Sequence, residues 1–229
     1  MTSQNRVNHA TSLLILGAGG HAKVTADLIR SLPGYSLAGL VDQREELIGQ
    51  EVEPGGGVVV MTQTELFAHL QQRGNLPSGI DDAVVAIGHN AVRDELSKKL
   101  DGFGVLASAL IHPTATISPS ATIGAGGMVL AGVVVNAAAR IGVGVILNTA
   151  SIVEHDCVVA DGVHISPGAI LCGNVHVGHR SWIGAGATII PGVHIGDNVI
   201  VGANATVLRD VPSGAVVVGS PARQVKPAT

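Results

Sequence analysis

The first hundred residues alternate mainly apolar runs with amphipathic runs, which predicts strands that alternate with helices. The apolar runs predict strands at residues 13–17, 37–42, 58–61 and 82–88. Apolar residues recur at helical spacing and predict helices over residues 21–32, 64–72 and 90–100. Strands and helices in this order form a parallel sheet covered by helices, so we expect a small α/β domain.

From residue 111 the apolar residues recur with a period of six. The aliphatic positions are Ile111, Ile117, Ile123, Val129, Val135, Ile141, Leu147, Val153, Val159, Ile165, Leu171, Val177, Ile183, Ile189, Ile195, Val201 and Val207. Four residues after each stands a small or β-branched residue, from Ala115 through Cys157 to Val211. A period of six fits neither a helix nor an alternating strand, and it is typical of the hexapeptide repeats of a parallel β-helix. Three repeats would close one coil, so residues 111–212 predict about five and a half coils, roughly 27 Å tall.

The two patterns predict two domains, an α/β domain over residues 1–104 and an all-β parallel β-helix over residues 105–229. Aromatic residues make up only 2% of the chain. Stacked aliphatic ladders explain how a core of this size can be filled without them. Glycine accounts for 31 of the 229 residues, which is consistent with the many tight corners of a β-helix.

Charge and cysteine content exclude several classes of protein. The net charge is −4 and no basic block is present, so we expect no nucleic-acid partner. Cys157 and Cys172 are the two cysteines and form no metal or redox motif, which favours a reduced, cytoplasmic setting. The uncharged stretch 102–139 is interrupted by Gly, Pro and polar residues, so we expect no membrane span.

A glycine-rich loop links the first predicted strand to the first helix. It contains Gly17, Gly19, Gly20 and His21, and Asp42 ends the second predicted strand. Amides at a helix N-terminus can bind phosphate, and an acid at the end of the next strand can bind a ribose. A phosphate-bearing ligand is favoured over a simple strand–helix turn. A dinucleotide is disfavoured, because roughly 95 residues are too few for both halves of that fold.

Candidate catalytic residues lie in the repeats. His155 stands two places after an inward aliphatic position, so it points outward, and Glu154 and Asp156 flank it. A carboxylate beside an imidazole fixes its tautomer and supports general-base catalysis, although a solvated acidic corner would have the same composition. His164 lies half a coil away, so it cannot easily share a site with His155 within one chain but could do so across neighbouring prisms. Cys157 occupies an inward position and is read as a core residue.

Several segments together resemble one enzyme family over nearly the whole chain. They are LILGAGGHAK (14–23), AIGHNAVR (86–93), IHPTATISPSA (111–121), ILNTASIVEHDC (146–157), HISPGAILCGNV (164–175) and GSPAR (219–223). With these segments the chain resembles the nucleotide-sugar acetyltransferases of bacterial surface-glycan biosynthesis. These belong to the sialic acid O-acetyltransferase-like branch of hexapeptide transferases, which includes UDP-4-amino-sugar and GDP-perosamine N-acetyltransferases.

The resemblance implies a homotrimer of left-handed β-helices that binds acetyl-CoA between neighbouring prisms and requires no metal. The N-terminal domain would bind the nucleotide sugar through the glycine loop, with Asp42 near the nucleoside. His155 would be the general base supported by Asp156, in a direct transfer to a 4-amino group, and Asn148 would contact the sugar. Some relatives have Glu where this chain has Asp156. The residues that would contact acetyl-CoA are His164, Gly173, Ala185, Gly202 and Pro221.

Three other functions are compatible with part of the pattern. Within the family, a histidine base would equally serve O-acetylation of a sialic acid or another sugar. A γ-class carbonic anhydrase shares the prism but needs three zinc-binding histidines at an interface. A non-catalytic scaffold would leave the His155–Asp156 pair and the glycine loop unexplained. The sequence does not distinguish UDP, GDP or dTDP as the nucleotide.

Overall fold

The computed structural model of the protein describes residues 10–52 and 56–226. Its N-terminal part is an α/β unit, as the alternating pattern predicts. Its strands are β1 (Thr11–Leu16), β2 (Tyr35–Asp42), β3 (Val59–Thr62) and β4 (Asp82–Val85). Its helices are α1 (Gly20–Ser31), α2 (Gln63–Arg73) and α3 (Asn90–Gly102), with a 3₁₀ turn at Glu45–Leu47.

The four strands form one parallel sheet in the order β3-β2-β1-β4. Leu13, Leu14, Ile15 and Leu16 of the central strand β1 are completely buried, which explains why this strand has no polar alternation. The carboxyl ends of β1 and β2 are neighbours, so the glycine loop after β1 and Asp42 at the end of β2 lie together. The predicted elements of this unit are therefore confirmed.

The repeats form a parallel β-helix whose strands each contain two residues. The strands are β5 (Leu110–Ile111), β6 (Thr116–Ile117), β7 (Thr122–Ile123), β8 (Met128–Val129), β9 (Val134–Val135), β10 (Arg140–Ile141), β11 (Ile146–Leu147), β12 (Ile152–Val153), β13 (Val158–Val159), β14 (His164–Ile165), β15 (Ile170–Leu171), β16 (His176–Val177), β17 (Trp182–Ile183), β18 (Thr188–Ile189), β19 (His194–Ile195), β20 (Ile200–Val201) and β21 (Thr206–Val207). Each predicted aliphatic position is the second residue of one of these strands, which confirms the hexad assignment.

Each strand pairs with the strand one coil away, so that Ile141 pairs with Val159 and Ile152 with Ile170. Three faces result. The first face contains β5, β8, β11, β14, β17 and β20; the second contains β6, β9, β12, β15, β18 and β21; the third contains β7, β10, β13, β16 and β19. We call the turns from first to second face the first edge, those from second to third the second edge, and those from third to first the third edge.

Inward-pointing side chains fill the prism with aliphatic ladders. Val153, Leu171 and Ile189 succeed one another on the second face and are inaccessible to solvent. Cys157 belongs to the same core and is fully buried, and its thiol donates to the Cys172 carbonyl at 3.1 Å. Burial is the main reason why the pKa of Cys157 is raised, so this thiol is a core group as predicted.

From Gly126 to Asn204, each corner of the coils has one residue in the left-handed backbone conformation, three places after the aliphatic position. Seven of these corners have glycine there, four have Asp or Asn (Asp156, Asn174, Asn198 and Asn204), and three have Ala138, Ala150 or Arg180, all non-glycine residues with φ between 53° and 61°. Asp and Asn tolerate this conformation better than other residues with side chains. Asp156 therefore suits its corner for backbone reasons as well as for its charge.

The last coil departs from the predicted register. Val211 was expected in the small inward slot of the hexad that begins at Val207. Instead Val211 forms a parallel bridge with Ile195, sixteen residues earlier, and Ile200 pairs with Val216 over the same separation. The chain then forms β22 (Val216–Val218), which extends the first face, and β23 (Arg223–Lys226), which is antiparallel to it. Val211 remains buried, so a shortened coil still closes the core.

The described chain divides into two compact units. One ends at Ile87 and also contains Leu100–Ala107; the other contains Gly88–Lys99 and the chain from Ser108 onward. Residues 88–99 thus group with the repeats, while the predicted boundary between residues 104 and 105 stays a prediction. Within the described residues, no helix is long and apolar enough to cross a membrane.

A buried arginine fastens residues 88–99 to the β-helix. Arg93 is inaccessible to solvent, and its guanidinium donates to the carbonyls of Gly144 (2.9 Å), Gly162 (2.7 Å) and Val163 (3.2 Å). It also donates to the Asn90 side chain at 2.8 Å. Burial lowers the pKa of Arg93 to about 10, so the side chain is still charged at neutral pH.

Asp94 adds a charged contact to the same attachment. Its carboxylate accepts from Arg180 at 2.7 Å and from Lys98 at 2.9 Å, and only 2% of its side chain is exposed. Burial alone would raise the pKa of Asp94, but hydrogen bonds from Lys98 and Arg180 outweigh it and leave the pKa below its ordinary value of 3.8.

We expect Asp94→Asn to destabilise the protein at neutral pH but much less in acid. A carboxyl whose folded pKa is lowered contributes stability above its unfolded pKa and loses it as the pH falls through the folded pKa. Because Arg180 and Lys98 are about half exposed, we expect a loss of about 1–2 kcal/mol near pH 7. Melting temperatures of both proteins at about pH 7 and about pH 2.5 test this; an equal difference at both values would contradict it.

Candidate active site

The glycine loop is shaped by contacts with strand ends, and Gly17 is required there by the fold. Gly17 has φ +116°, and a Cβ atom on it would lie 2.8 Å from the Ala86 carbonyl oxygen. Its amide donates to the Val41 carbonyl at 2.7 Å. The backbone of the loop therefore packs too closely against its neighbours for any side chain.

Gly19 and Gly20 are not required by the fold in this way. Neither has positive φ, and a Cβ atom on either would meet no atom of the described residues within 4 Å. Gly19 is the N-cap of α1 without a side-chain cap, and the first turn of the helix contains no acidic residue. Open space beside uncapped amides at the positive end of a helix suits an anion, so these glycines leave room for a phosphate.

Asp42 links this loop to β2. Its carboxylate accepts from the Ala18 amide at 2.9 Å, from the Arg44 amide at 3.1 Å, and from Nε and Nη2 of Arg44 at 2.8 and 3.2 Å. Burial acts to raise the pKa of Asp42, but the hydrogen bonds from Arg44 and Ala18 outweigh it and lower the pKa. These four donors occupy the four acceptor positions of a carboxylate, so Asp42 holds the Ala18 amide and the Arg44 side chain in place.

We expect Gly20→Ala to separate stability from ligand binding. Alanine at the first helical position should leave the melting temperature unchanged or slightly higher, because it is the better helix former by up to about 1 kcal/mol. A methyl group in the open space should weaken hydrogen bonds to phosphate and raise about tenfold the KM for the nucleotide sugar that the resemblance implies as substrate. Steady-state kinetics with both expected substrates test this, with the KM for the expected acetyl donor as the internal control. An unchanged KM for the nucleotide sugar would show that no ligand approaches Gly20.

The candidate base lies on the second edge of the β-helix. His155 Nδ1 lies 2.8 Å from Asp156 Oδ2, and both side chains are about 60% exposed. An ionised carboxylate only accepts, so the Nδ1 atom of neutral His155 carries the proton and Nε2 presents a lone pair. The structure thus brings the two predicted catalytic residues together in the arrangement that a general base requires.

Gly173 lies directly beside the imidazole. It is one coil beyond His155, and a Cβ atom on Gly173 would be 2.6 Å from both Nε2 and Cε1 of His155. The amide of Gly173 donates to no atom within the described parts of the chain. The resemblance implies that this position contacts acetyl-CoA; the structure adds that a side chain at Gly173 would displace the His155 ring from its observed position.

Asn148 and His164 form a second polar pair. Asn148 Oδ1 accepts from the Thr149 amide at 2.8 Å, so the side-chain NH₂ group faces His164 Nε2 at 3.1 Å. Nε2 of His164 is therefore the acceptor and Nδ1 carries the proton of the neutral ring. The ring of His164 also stacks on Trp182, with centroids 6.2 Å apart.

The other expected acetyl-CoA residues lie away from His155 in a single chain, and so does Asn148, which is expected to contact the sugar. Asn148, Ala185 and Gly202 are on the first edge, and His164 is on the first face. Pro221 follows β22, which extends that face, and is joined to Ser220 by a cis peptide bond. His155 and Gly173 lie on the second edge. The predicted site residues thus form two groups on different edges of the prism.

Two polar contacts near the site were not foreseen from the sequence. The Asn136 side chain donates to Glu154 Oε2 at 2.9 Å from the preceding coil, and Arg44 forms a fork on Asp42. The 18-residue separation of Asn136 and Glu154 is a signal that could have identified the first contact. Among residues 10–52 and 56–226, no three His, Cys, Asp or Glu side chains converge to hold a metal ion.

The chain matches two described families. The family described as PglD N-terminal domain matches residues 12–100, and the family described as bacterial transferase hexapeptide (six repeats) matches residues 174–209. A curated relative, the UDP-N-acetylbacillosamine N-acetyltransferase of Bacillus subtilis strain 168, is 38% identical over 126 residues. That alignment covers 52% of this chain and 51% of the relative, so the chain spans about half the length of this curated protein.

Solved structures resemble the chain over most of its length. Perosamine N-acetyltransferase from Caulobacter crescentus, a variant in complex with CoA and GDP-perosamine, has a TM-score of 0.84 and 36% identity. The match covers 94% of this chain and 97% of that one. The acetyltransferase domain of PglB from Neisseria gonorrhoeae FA1090, in complex with acetyl coenzyme A, has a TM-score of 0.83 and 38% identity, with coverage of 94% and 99%.

Proposed function

The chain belongs to the hexapeptide-repeat nucleotide-sugar acetyltransferases with a PglD-type N-terminal domain, and from this premise we propose that it transfers the acetyl group of acetyl-CoA to the amine of a nucleotide-linked amino sugar. The relatives named for an N-acetyltransferase activity, one of them in complex with CoA and GDP-perosamine, support an amine acceptor. Such a product serves the biosynthesis of bacterial surface glycans.

The observation that carries this proposal is the orientation of the His155–Asp156 pair. The 2.8 Å contact occupies Nδ1 and leaves Nε2 as the basic atom on an exposed edge. Positioned bases of this kind contribute roughly 10²–10⁴-fold to proton transfer. Cys157 is buried in the core and hydrogen-bonded, so a covalent acyl-enzyme on that thiol is not part of the mechanism.

The reaction is a direct transfer. The neutral amine nitrogen of the sugar attacks the thioester carbonyl while His155 Nε2 accepts its proton, and a tetrahedral intermediate forms. The carbon–sulfur bond then breaks, and the CoA thiolate leaves with a proton available from the imidazolium. We propose that the Gly173 amide, which lies beside the imidazole and donates to no atom within the described residues, stabilises the oxyanion between these steps.

Separation of the candidate residues onto two edges supports a site between copies of the chain. His155 and Gly173 of one copy would face Asn148, His164, Ala185, Gly202 and Pro221 of a neighbour. Acetyl-CoA would lie in the groove between the two prisms. A closed ring of identical contacts of this kind gives a cyclic oligomer, and we propose the homotrimer.

The N-terminal unit would hold the nucleotide sugar. The open space at Gly19 and Gly20, at a helix start without a side-chain cap, suits its phosphates, and the adjacent His21 completes the loop. Asp42 would lie near the nucleoside. A cytoplasmic location, where acetyl-CoA and nucleotide sugars are made, remains part of the proposal.

The decisive experiment is a thiol-release assay with acetyl-CoA and a panel of UDP-, GDP- and dTDP-linked 4-amino sugars, with free sialic acid included. Release with one amino-sugar nucleotide, together with a mass gain of one acetyl group, is the expected result. Release with sialic acid alone would replace the proposal by O-acetylation. If no acceptor releases thiol and no nucleotide sugar raises the melting temperature, the proposed enzyme activity is wrong.

A further inference from the structure

Arg44 is an exposed cation beside the glycine loop, and the proposed binding of the nucleotide sugar by the loop assigns it no role. Arg44 follows β2 by two residues, and its side chain is 49% exposed. Nε and Nη2 both bind the Asp42 carboxylate, which fixes the plane of the guanidinium. Half of the side chain remains accessible, so the donors that face away from Asp42 can reach a ligand.

The position of this guanidinium relative to the loop follows from a shared acceptor. Nη2 of Arg44 and the Ala18 amide both donate to Asp42 Oδ2, at 3.2 and 2.9 Å. The two nitrogen atoms are therefore separated by no more than the span of two hydrogen bonds. Ala18 precedes the open glycines at the start of α1, so a fixed positive charge lies at the rim of the uncapped helix terminus.

We propose that Arg44, held by Asp42, binds the diphosphate of the nucleotide sugar and makes the chain selective for nucleoside diphosphate sugars. This inference rests on the proposed function and adds a specificity-determining residue to it. A diphosphate with two negative charges would bridge the α1 amides and the guanidinium, which matches phosphate oxygens in its planar fork. Asp42 would then act as a positioning residue for Arg44.

Charges around the guanidinium agree with this role. Hydrogen bonding to Asp42 is the main reason why the pKa of Arg44 is raised, and Glu46 adds a smaller effect in the same direction. The group is thus always protonated. In the N-terminal unit Arg30 offers a matched comparison, because it is similarly exposed and also pairs with an aspartate, Asp27 at 3.3 Å.

The test is a calorimetric titration of the full-length protein and its Arg44→Gln, Arg44→Lys and Arg30→Gln variants. The probes are UDP and GDP, and the binding of uridine and guanosine is measured for comparison. We expect Arg44→Gln to weaken binding of the preferred diphosphate about tenfold and to leave binding of the nucleoside unchanged. Arg44→Lys should recover part of the loss because it keeps the charge without the fork. The Arg30→Gln variant should bind like the unmodified protein.

Increasing salt should weaken diphosphate binding less in Arg44→Gln than in the unmodified protein, because one cation is missing. Equal loss of diphosphate and nucleoside affinity in Arg44→Gln would overturn the inference, because it would show that Arg44 only stabilises the structure of the loop. Unchanged affinity would also overturn it. If Arg44→Gln gives one of these two results while the unmodified protein acetylates an amino-sugar nucleotide, the inference about Arg44 fails and the proposed function stands. If it binds no nucleoside diphosphate and acetylates none, the proposed function fails with it.

Discussion

Replacing His155 by alanine is expected to reduce kcat by roughly 10²–10⁴-fold, with the KM for acetyl-CoA changed little. The imidazole is about 60% exposed and fills no core space, so its removal should leave the fold intact. Its Nε2 atom is the base that accepts the proton of the attacking amine, and without it the step depends on water.

A matched control for this substitution exists on the third edge. His179 stands two places after Val177, as His155 stands two places after Val153, and it is also exposed. We expect His179→Ala to retain full activity. Single-turnover rates of both variants, with melting temperatures as the check on folding, complete the test. Comparable activity of His155→Ala and His179→Ala would refute the assignment of His155 as the base.

The second large effect is expected on stability, from replacement of Arg93. Arg93→Met keeps much of the buried volume but removes the donors to the Gly144 and Gly162 carbonyls. Loss of these buried hydrogen bonds should cost about 3 kcal/mol, which corresponds to a fall in melting temperature of roughly 6–12 °C for a chain of this size. Arg93→Lys should lose nearly as much, because one ammonium group cannot replace the guanidinium fork.

Arg140 provides the control for Arg93. It lies on the outer surface of β10 and is exposed, so Arg140→Met should change the melting temperature by only about 1 °C, in keeping with an exposed surface position. Thermal unfolding followed by circular dichroism measures all three variants. Similar melting temperatures for Arg93→Met and Arg140→Met would show that the buried arginine does not hold residues 88–99 on the β-helix.

The fold could be predicted from the sequence because each local pattern leads to one structure. A period of six with inward aliphatic residues forces short strands separated by corners, and all seventeen predicted positions lie in strands. The exception is the last coil, where Val211 pairs with Ile195. A hexad count cannot detect a coil that closes two residues early, since Val211 is apolar and buried in either register.

Part of the candidate site could be predicted from the sequence. His155 and Asp156 are adjacent in the chain, so their pairing needed only a corner that orients both outward. By itself the sequence determined the two architectures, the outward position of His155 and the glycine loop at the start of α1, because these depend on near neighbours along the chain. Only the tertiary structure decided that Gly173 leaves space for the His155 ring. It also decided that Arg93 is buried against backbone carbonyl groups. In the N-terminal unit it decided that Arg44 is fixed on Asp42 beside Ala18. The 18-residue coil period places Gly173 one coil beyond His155, but how closely the ring approaches the glycine is decided by the tertiary structure. The Arg93 and Arg44 contacts depend on which coil or strand end lies next to which, and no period in the sequence relates those residues to their partners.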